Sequence, residues 1–381
     1  MSTDRRVGFV VNSGGRGTLD LLWSCIITII LCTWKVQRLQ IVHWSHSKKT
    51  IFRKKAFWMF ITLLCPEYVT WVAFEQWNRA RKYKEVCRLG HKDWTMQQGF
   101  YVDMGGVELS LDEANARLPL AISDEQHLEK GVRMTIRLEE LITLMKADIV
   151  PLPTVTLQDL EERSKQDRFA RVITSVQVFY FVVNCCQRTG SNLPISTLEV
   201  STLAFICCGA FIEFFWWRKP LDIRTSTVIT LLADRSELFW SIFPALRFNA
   251  PEQDLAEVDN FKLFSDRVFG NSEMRTKAFH LVWIGCIFNG IHILAWNFSF
   301  ASQPEHLLWQ IFSVGACVAI VLTWAGIFIR PRSIGILLAS LFGSFYCVCR
   351  IYLMVEVFVG LRSVPAALYE PVAWQNVLPG V

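Results

Sequence analysis

The chain has 381 residues, of which 52% are hydrophobic, 13% aromatic and only 19% charged. Its formal net charge is +5 and its mean hydropathy is positive. These values fit a multi-pass membrane protein with moderate polar loops, and a basic excess this small beside apolar runs excludes nucleic acid as a partner. The stretch before the first apolar run, MSTDRRVGFVVNSGGRG, carries no cleavable signal pattern of its own.

The first apolar run, Leu19–Trp34, reads as span one. Asp20 falls in its first turn, where an acid favours the helix dipole. A loop rich in lysine and arginine follows, from Lys35 to Lys55. Span two is Ala56–Trp77, with Cys65-Pro66-Glu67 near its middle. Pro66 removes a backbone hydrogen bond and predicts a kink. Glu67 then sits beside freed backbone groups, one turn before Trp71, and is either a structural partner of that kink or a functional acid.

The polar segment 78–168 opens on a turn-rich stretch punctuated by Gly99, Gly105 and Gly106. Lys130–Lys146 predicts an amphipathic helix, ended by Pro151 and Pro153, and Thr156–Glu162 opens another. Spans three (Phe169–Gln187) and four (Ile195–Trp217) are joined by a short loop and so must be antiparallel neighbours. The second polar segment, 218–277, contains apolar pieces around Leu238–Leu246 and Phe261–Phe269.

Span four lies in the apolar stretch Leu198–Asp222, which ends on Trp216, Trp217, Arg218 and Lys219, an aromatic and cationic anchor at headgroup level. Glu213 stands inside it, and an ionisable residue within a span is a functional-site hypothesis by default. On span five, Ala278–Phe300, Gly285, Asn289, His292 and Trp296 recur at helical spacing as one mixed face. The plainer reading of Asn289 and His292 is interhelical hydrogen bonding. Span six is His306–Ile329 and span seven Ser333–Leu361; Tyr352 and Glu356 lie one turn apart on the latter, with Glu356 near enough to the end to be interfacial.

The expected fold class is therefore all-α: a polytopic transmembrane helix bundle of about seven spans with two polar inter-span segments. The organisation divides at 1–77, 78–168, 169–217, 218–277 and 278–381. The positive-inside signal is split between the two sides, so orientation stays open. No internal repeat is evident, which counts against a transporter built from duplicated halves.

Of the twelve cysteines, all but Cys87 lie in apolar segments, where the thiol acts as a small packing group. No Cys/His cluster has zinc spacing, and His43-x-x-His46 has no evident further ligands. Neither a metal nor a cofactor is expected.

Several blocks resemble a group of fungal multi-pass membrane proteins, most of them uncharacterised. They are RGTLDLLWSC (Arg16–Cys25), CPE (Cys65–Glu67), WTMQQGFYVDMGG (Trp94–Gly106), SKQD (Ser164–Asp167), LPISTLEVSTLAF (Leu193–Phe205), WWRKPLD (Trp216–Asp222), GIHILAWNF (Gly290–Phe298) and RIYLMVEVF (Arg350–Phe358). Members of this kind occur in secondary-metabolite pathways, and some membrane proteins of meroterpenoid pathways resemble cyclases that close a prenyl chain. In that pattern the position of Glu213 is usually aromatic and that of Arg218 commonly Asn; Asn184 and Gln187 also depart from it.

The resemblance implies an integral-membrane terpene cyclase acting on a lipophilic prenylated precursor, epoxidised or not, at the endoplasmic reticulum. Membrane lipid and other membrane-bound pathway enzymes are the implied partners. A carboxyl group in an apolar pocket stays protonated at neutral pH and serves as a general acid. Aromatic faces each stabilise a cation by roughly 0.5–2 kcal/mol. The candidate acids are Glu213, Glu67 and Glu356. The candidate substrate-lining residues are Trp71, Tyr180, Asn289, His292, Trp296 and Tyr352, with Trp283 a further aromatic within the spans. A transporter, channel or receptor-like protein, and a non-catalytic scaffold working through its polar segments, stand as the alternatives.

Overall fold

The computed structural model describes residues 5–11, 16–35, 48–88, 94–111, 132–136, 138–151, 153, 165–220, 226–232, 235, 238–239, 241, 272–329 and 331–371. A short strand β1 (Arg6–Val7) precedes α1 (Thr18–Ile30), which runs into a π turn over Leu31–Lys35. Then come α2 (Lys48–Leu64), α3 (Pro66–Arg88), α4 (Met96–Asp103), β2 (Val107–Leu111), β3 (Val132–Thr135) and α5 (Leu138–Lys146). The hairpin of α6 (Lys165–Gly190) and α7 (Thr197–Phe215) follows, then β4 (Thr227–Thr230), α8 (Ser272–Ile293), α9 (Gln303–Phe328) and α10 (Arg332–Val359). A last strand, β5 (Val364–Pro365), pairs antiparallel with β1 and brings the two ends of the described chain together.

The described residues are mostly helical. Among the described residues, three helices are long and apolar enough to cross a membrane: Thr197–Phe215, Gln303–Gly326 and Ser333–Arg362. A fourth is Phe52–Leu64 with Pro66–Lys82, if these two count as one span bent by 112°. Pro66 does more than kink the helix. It ends α2 at Leu64 and starts α3, because proline donates no backbone bond and is well tolerated at a first helical position. The apolar helices Thr18–Trp34 and Val282–Ile293 are shorter.

An all-α fold needs correction, because the described residues include a three-stranded sheet of order β3-β2-β4. β2 pairs antiparallel with β3 and parallel with β4. The described parts of the two polar segments thus pack as one unit. Residues Val132–Thr135, expected as helix, pair in register with β2, and helix begins only at Leu138. Amphipathic periodicity over so short a stretch loses to a ladder of backbone hydrogen bonds. The apolar faces of the sheet and α5 bury Leu109, Ile136, Leu141, Leu144 and Ile229 together with Phe239. Of the apolar pieces expected nearby, Phe239 is the part that packs here; Phe261–Phe269 and the helix at Thr156–Glu162 lie outside the described residues, as do His43 and His46.

The stretch read as turns is largely α4, started by a capping box in which Thr95 and Gln98 satisfy each other's backbone amides. Only its end turns: Gly105 has φ +86°, and Gly106 lies flat against the Tyr101 ring, 2.5 Å from where a Cβ would reach it. Tyr101 in turn bonds the Thr227 hydroxyl at 3.0 Å, tying α4 to β4.

In the bundle, α1 starts as its sequence predicts, with the Gly17 amide donating to Asp20 at 2.9 Å. Arg16 pairs with Glu199, which closes the capping box of α7 through Ser196. The hairpin is antiparallel, as its short loop requires. Its turn is held by buried Arg188, which donates to carbonyls of Pro194, Ala367, Leu368 and Glu370. Burial, then the nearby Arg16, push Arg188 down from 12.5 to about 10, so it stays charged at neutral pH. The described cysteines are free thiols.

We expect Gly106→Ala to displace the Tyr101 ring and destabilise the sheet unit by about 1–3 kcal/mol. Thermal unfolding of the purified protein, compared with Tyr101→Phe, measures this; an unchanged melting curve for the alanine variant contradicts the packing.

Candidate functional site

The break between α2 and α3 creates the site. Ending a helix leaves its last carbonyls without intrahelical donors. At the end of α2, the Leu64 carbonyl accepts from Arg350 Nε at 3.2 Å and the Leu63 carbonyl from Arg350 Nη2 at 3.5 Å. Arg350, on α10, is completely buried, and its guanidinium lies 4.4 Å from the Phe288 ring centroid and 5.9 Å from that of Phe205. A cation at a helix C-terminus is favoured by the aligned peptide dipoles, and hydrogen bonds to a charged group each contribute about 1.5–3 kcal/mol. Together these offset the cost of an arginine in apolar surroundings, about 2.5–3.5 kcal/mol on insertion scales.

The remaining Arg350 nitrogen, Nη1, approaches His292 Nε2 at 3.4 Å. A guanidinium only donates, so Nε2 is an acceptor and the imidazole hydrogen sits on Nδ1. That assignment fits the other contacts. Nδ1 lies 3.1 Å from the Phe288 carbonyl, and the Ser201 hydroxyl reaches Nε2 at 3.4 Å. Trp309 Nε1 donates to the His292 carbonyl, carrying the network to α9. His292 is thus an interhelical hydrogen-bonding residue.

Glu67 occupies the first turn of α3, where an acid is favoured by the helix N-terminus. It is 3% exposed. Its carboxyl lies near Arg350 and is approached by the Tyr346 phenol, one turn before Arg350 on α10. Glu67 Oε2 and the Tyr346 hydroxyl nevertheless lack hydrogen-bond partners among the described residues. Gly285 makes room for Ile320 beside the acid: a Cβ there would stand 2.2 Å from Ile320 Cδ1, while Glu67 Cγ, at 3.6 Å, is at ordinary contact distance. Asn289, also completely buried, donates to the Gly285 carbonyl at 2.8 Å, while its Oδ1 has no partner among the described residues. Trp71 is buried one turn after Glu67, in the same apolar cluster as Tyr346.

The other candidates lie elsewhere. Glu213 faces a cation instead of lying enclosed in the cluster: its Oε1 is 3.2 Å from Arg171 Nε, on the neighbouring helix of the hairpin. Arg171 also covers the Trp217 ring and donates to the Trp217 carbonyl, so Glu213 belongs to the charged, aromatic end of α7. Tyr180 and Trp283 are 55% and 59% exposed and point away from the cluster. Trp296 falls beyond the end of α8 at Ile293, so helical spacing does not carry it to the His292 face. Tyr352 and Glu356 form a separate group further along α10, where Tyr352 stacks on Phe312 at 4.4 Å.

Three residues of the cluster, Ser201, Tyr346 and Arg350, are not among the candidates that the sequence offered. Arg350 carried a usable signal: it is a basic residue well inside an apolar run, the same anomaly that singled out the acids.

The architecture defines a helix-bundle protein with apolar, membrane-length helices, a broken helix and an ionisable cluster buried where helices meet. The chain belongs to a family of unknown function (DUF8562), whose model matches residues 2–243. That match spans Glu67, Trp71 and Ser201, whereas His292, Tyr346 and Arg350 lie past its end. No curated protein and no solved structure matches the chain.

Replacing Arg350 by alanine strands the Leu63 and Leu64 carbonyls and the His292 acceptor, and we expect a loss of about 3–5 kcal/mol. Lysine, which cannot fork to three acceptors, should rescue less than half of it. Urea or thermal unfolding in detergent reads both; an alanine variant as stable as the parent rules out the hub.

Proposed function

We propose that this chain is an integral-membrane terpene cyclase of fungal secondary metabolism, with Glu67 as the acid that starts cyclisation of a prenyl chain on a lipophilic precursor. One observation carries the reading: a carboxyl group fully enclosed in the bundle, with one oxygen left without a partner among the described residues and aromatic side chains around it. A carboxyl group kept from water holds its proton at neutral pH and is available as a general acid to an alkene or epoxide, and the faces of Trp71, Tyr346 and neighbouring rings stabilise the cation that follows. Tyr346 and Arg350 position the carboxyl. Glu213, paired with Arg171, anchors the helix end.

Under this reading the chain crosses the membrane about seven times and resides in the endoplasmic reticulum. Its substrate enters from the lipid beside other membrane-bound pathway enzymes. The outward faces support the crossing count: Phe169, Val172, Val176 and Phe179 leave α6 exposed and apolar, as lipid requires.

A second reading draws on a different observation. A discontinuous membrane helix with a carbonyl end and an amide end facing charged groups is the construction transporters use to bind substrate or ions. The 112° break at Cys65 fits that pattern.

Microsomes containing only this protein, given epoxidised and non-epoxidised farnesyl-phenols, separate the two. Cyclisation should yield a ring-closed product. Glu67→Gln should lower its formation by about 10²–10⁴-fold, while Glu213→Gln changes it by less than about threefold. Unchanged substrate in microsomes together with altered export from whole cells would establish the transporter instead.

A further inference from the structure

Side-chain contacts mark the two ends of the bundle and so show which helix ends share a membrane surface. At one end, Arg16 before α1 pairs with Glu199 in the first turn of α7, and the Thr18 hydroxyl donates to Tyr369 at 2.9 Å. The α6–α7 turn joins them through Arg188, which donates to the Leu368 carbonyl at 2.8 Å, and the start of α9 does so through the pairing of Glu305 with Arg362. The β1–β5 ladder lies at this end. At the other end, Arg171 of α6 meets Glu213 of α7, and His280 of α8 packs on Phe74 of α3 with ring centroids 5.1 Å apart. Gln76 of α3 accepts there from Trp216 Nε1 at 2.9 Å and from Lys219 Nζ at 2.8 Å. The sheet unit belongs to this second end, since β2 follows α4 and β4 follows α7.

Strand pairing then imposes a parity. β1 and β5 can pair only if the chain between them crosses the membrane an even number of times. One crossing each for α1, α6, α7, α8, α9 and α10 makes six, so the broken pair α2–α3 has to return to the surface it left. Its own geometry agrees. The two helix axes differ by 112°. Trp58 and Tyr68 would lie about 15 Å apart along a straight helix. Instead their rings stack, with centroids 6.4 Å apart and planes at 4°. Both arms lead back to the sheet end: Phe52 of α2 lies 5.7 Å from Trp34, past the end of α1, and Gln76 of α3 holds Trp216. The tip is the part that reaches Arg350, through the Leu63 and Leu64 carbonyls.

With the hairpin folded back, the basic residues no longer divide between two surfaces. Every lysine of the chain falls within 35–55, 82–165 or 219–277, the segments that join helices at the sheet end. Lys49 and Arg53 on one arm, Arg81 and Lys82 on the other, and Arg218 after α7 are exposed. No lysine falls in the segments at the opposite end, where Arg16, Arg188 and Arg362 are taken up by Glu199, by carbonyls and by Glu305. Lysine and arginine close to the ends of spans stay on the cytosolic side, where the leaflet is anionic.

We propose that α2–α3 is a re-entrant hairpin, that six helices cross the membrane, and that the lysine-bearing end rests on the anionic headgroups of the cytosolic leaflet. The count of about seven crossings thereby resolves into six and one segment that enters and returns. The proposal rests on the membrane-spanning part of the proposed function and is independent of whether Glu67 does chemistry.

The test uses the unaltered protein in sealed microsomes, cytosolic surface outward, treated with a membrane-impermeant amine-acylating reagent and mapped by mass spectrometry. Lys49 and Lys82 should be acylated together, and permeabilising with detergent should raise either yield by less than about twofold. Acylation of one without the other would show a seventh crossing and overturn the hairpin. Protection of both until detergent is added would overturn the orientation. In nanodiscs, replacing part of the phosphatidylcholine by phosphatidylserine should slow acylation of both lysines by about threefold or more at low salt and not at high salt, because the headgroup charge is screened. Equal rates in the two lipids would overturn the headgroup contact.

Discussion

The bundle is organised around one guanidinium. Pro66 breaks a helix and leaves carbonyls that no backbone amide can reach; Arg350, from a helix nearly three hundred residues later in the chain, fills that gap. Its planar fork reaches α2 and α8 at once, and its face lies against Phe288 of α8 and, more distantly, Phe205 of α7. Lysine presents a point charge and does not satisfy this geometry. Each component is unfavourable alone: an interrupted helix, a buried cation, a buried histidine. They are stable only together, which is why the network cannot be dissected as a sum of pairs.

Partners, rather than residue type, divide the acids. Glu213 and Glu67 both interrupt apolar stretches. Glu213 faces an arginine on the adjoining helix at the aromatic end of the hairpin, where charge is tolerated. Glu67 faces a helix N-terminus, a phenol and the Arg350 cluster in the interior, where no water competes. A carboxylate in the first setting has an ion-pair partner at a helix end; in the second it keeps one oxygen without a hydrogen-bond partner among the described residues.

The polar segments carry a similar lesson. Separated in sequence by the α6–α7 hairpin, they meet in one sheet, with β4 joining β2 in parallel. A parallel pair needs a long crossover, and here the crossover is the hairpin itself. The sheet unit is thereby coupled to the bundle, and α4 packs on α3 through Gly99, held against Ala80.

The sequence by itself determined the local, periodic features. Apolar runs, proline, capping residues and tryptophan–cation ends located most helices and the break at Cys65-Pro66, because these act within a few residues of where they stand. It also flagged Glu67 and His292, since a polar group in an apolar run is anomalous wherever the chain goes. The tertiary structure decided what each anomaly meets. Arg171 neutralising Glu213, Arg350 reaching α2, strand pairing overriding the helical pattern at Val132–Thr135, and Trp296 falling past the end of α8 all depend on contacts between distant segments. Such contacts are fixed by packing and by the need to satisfy buried polar groups, and neither is encoded in the spacing of residues along a single element.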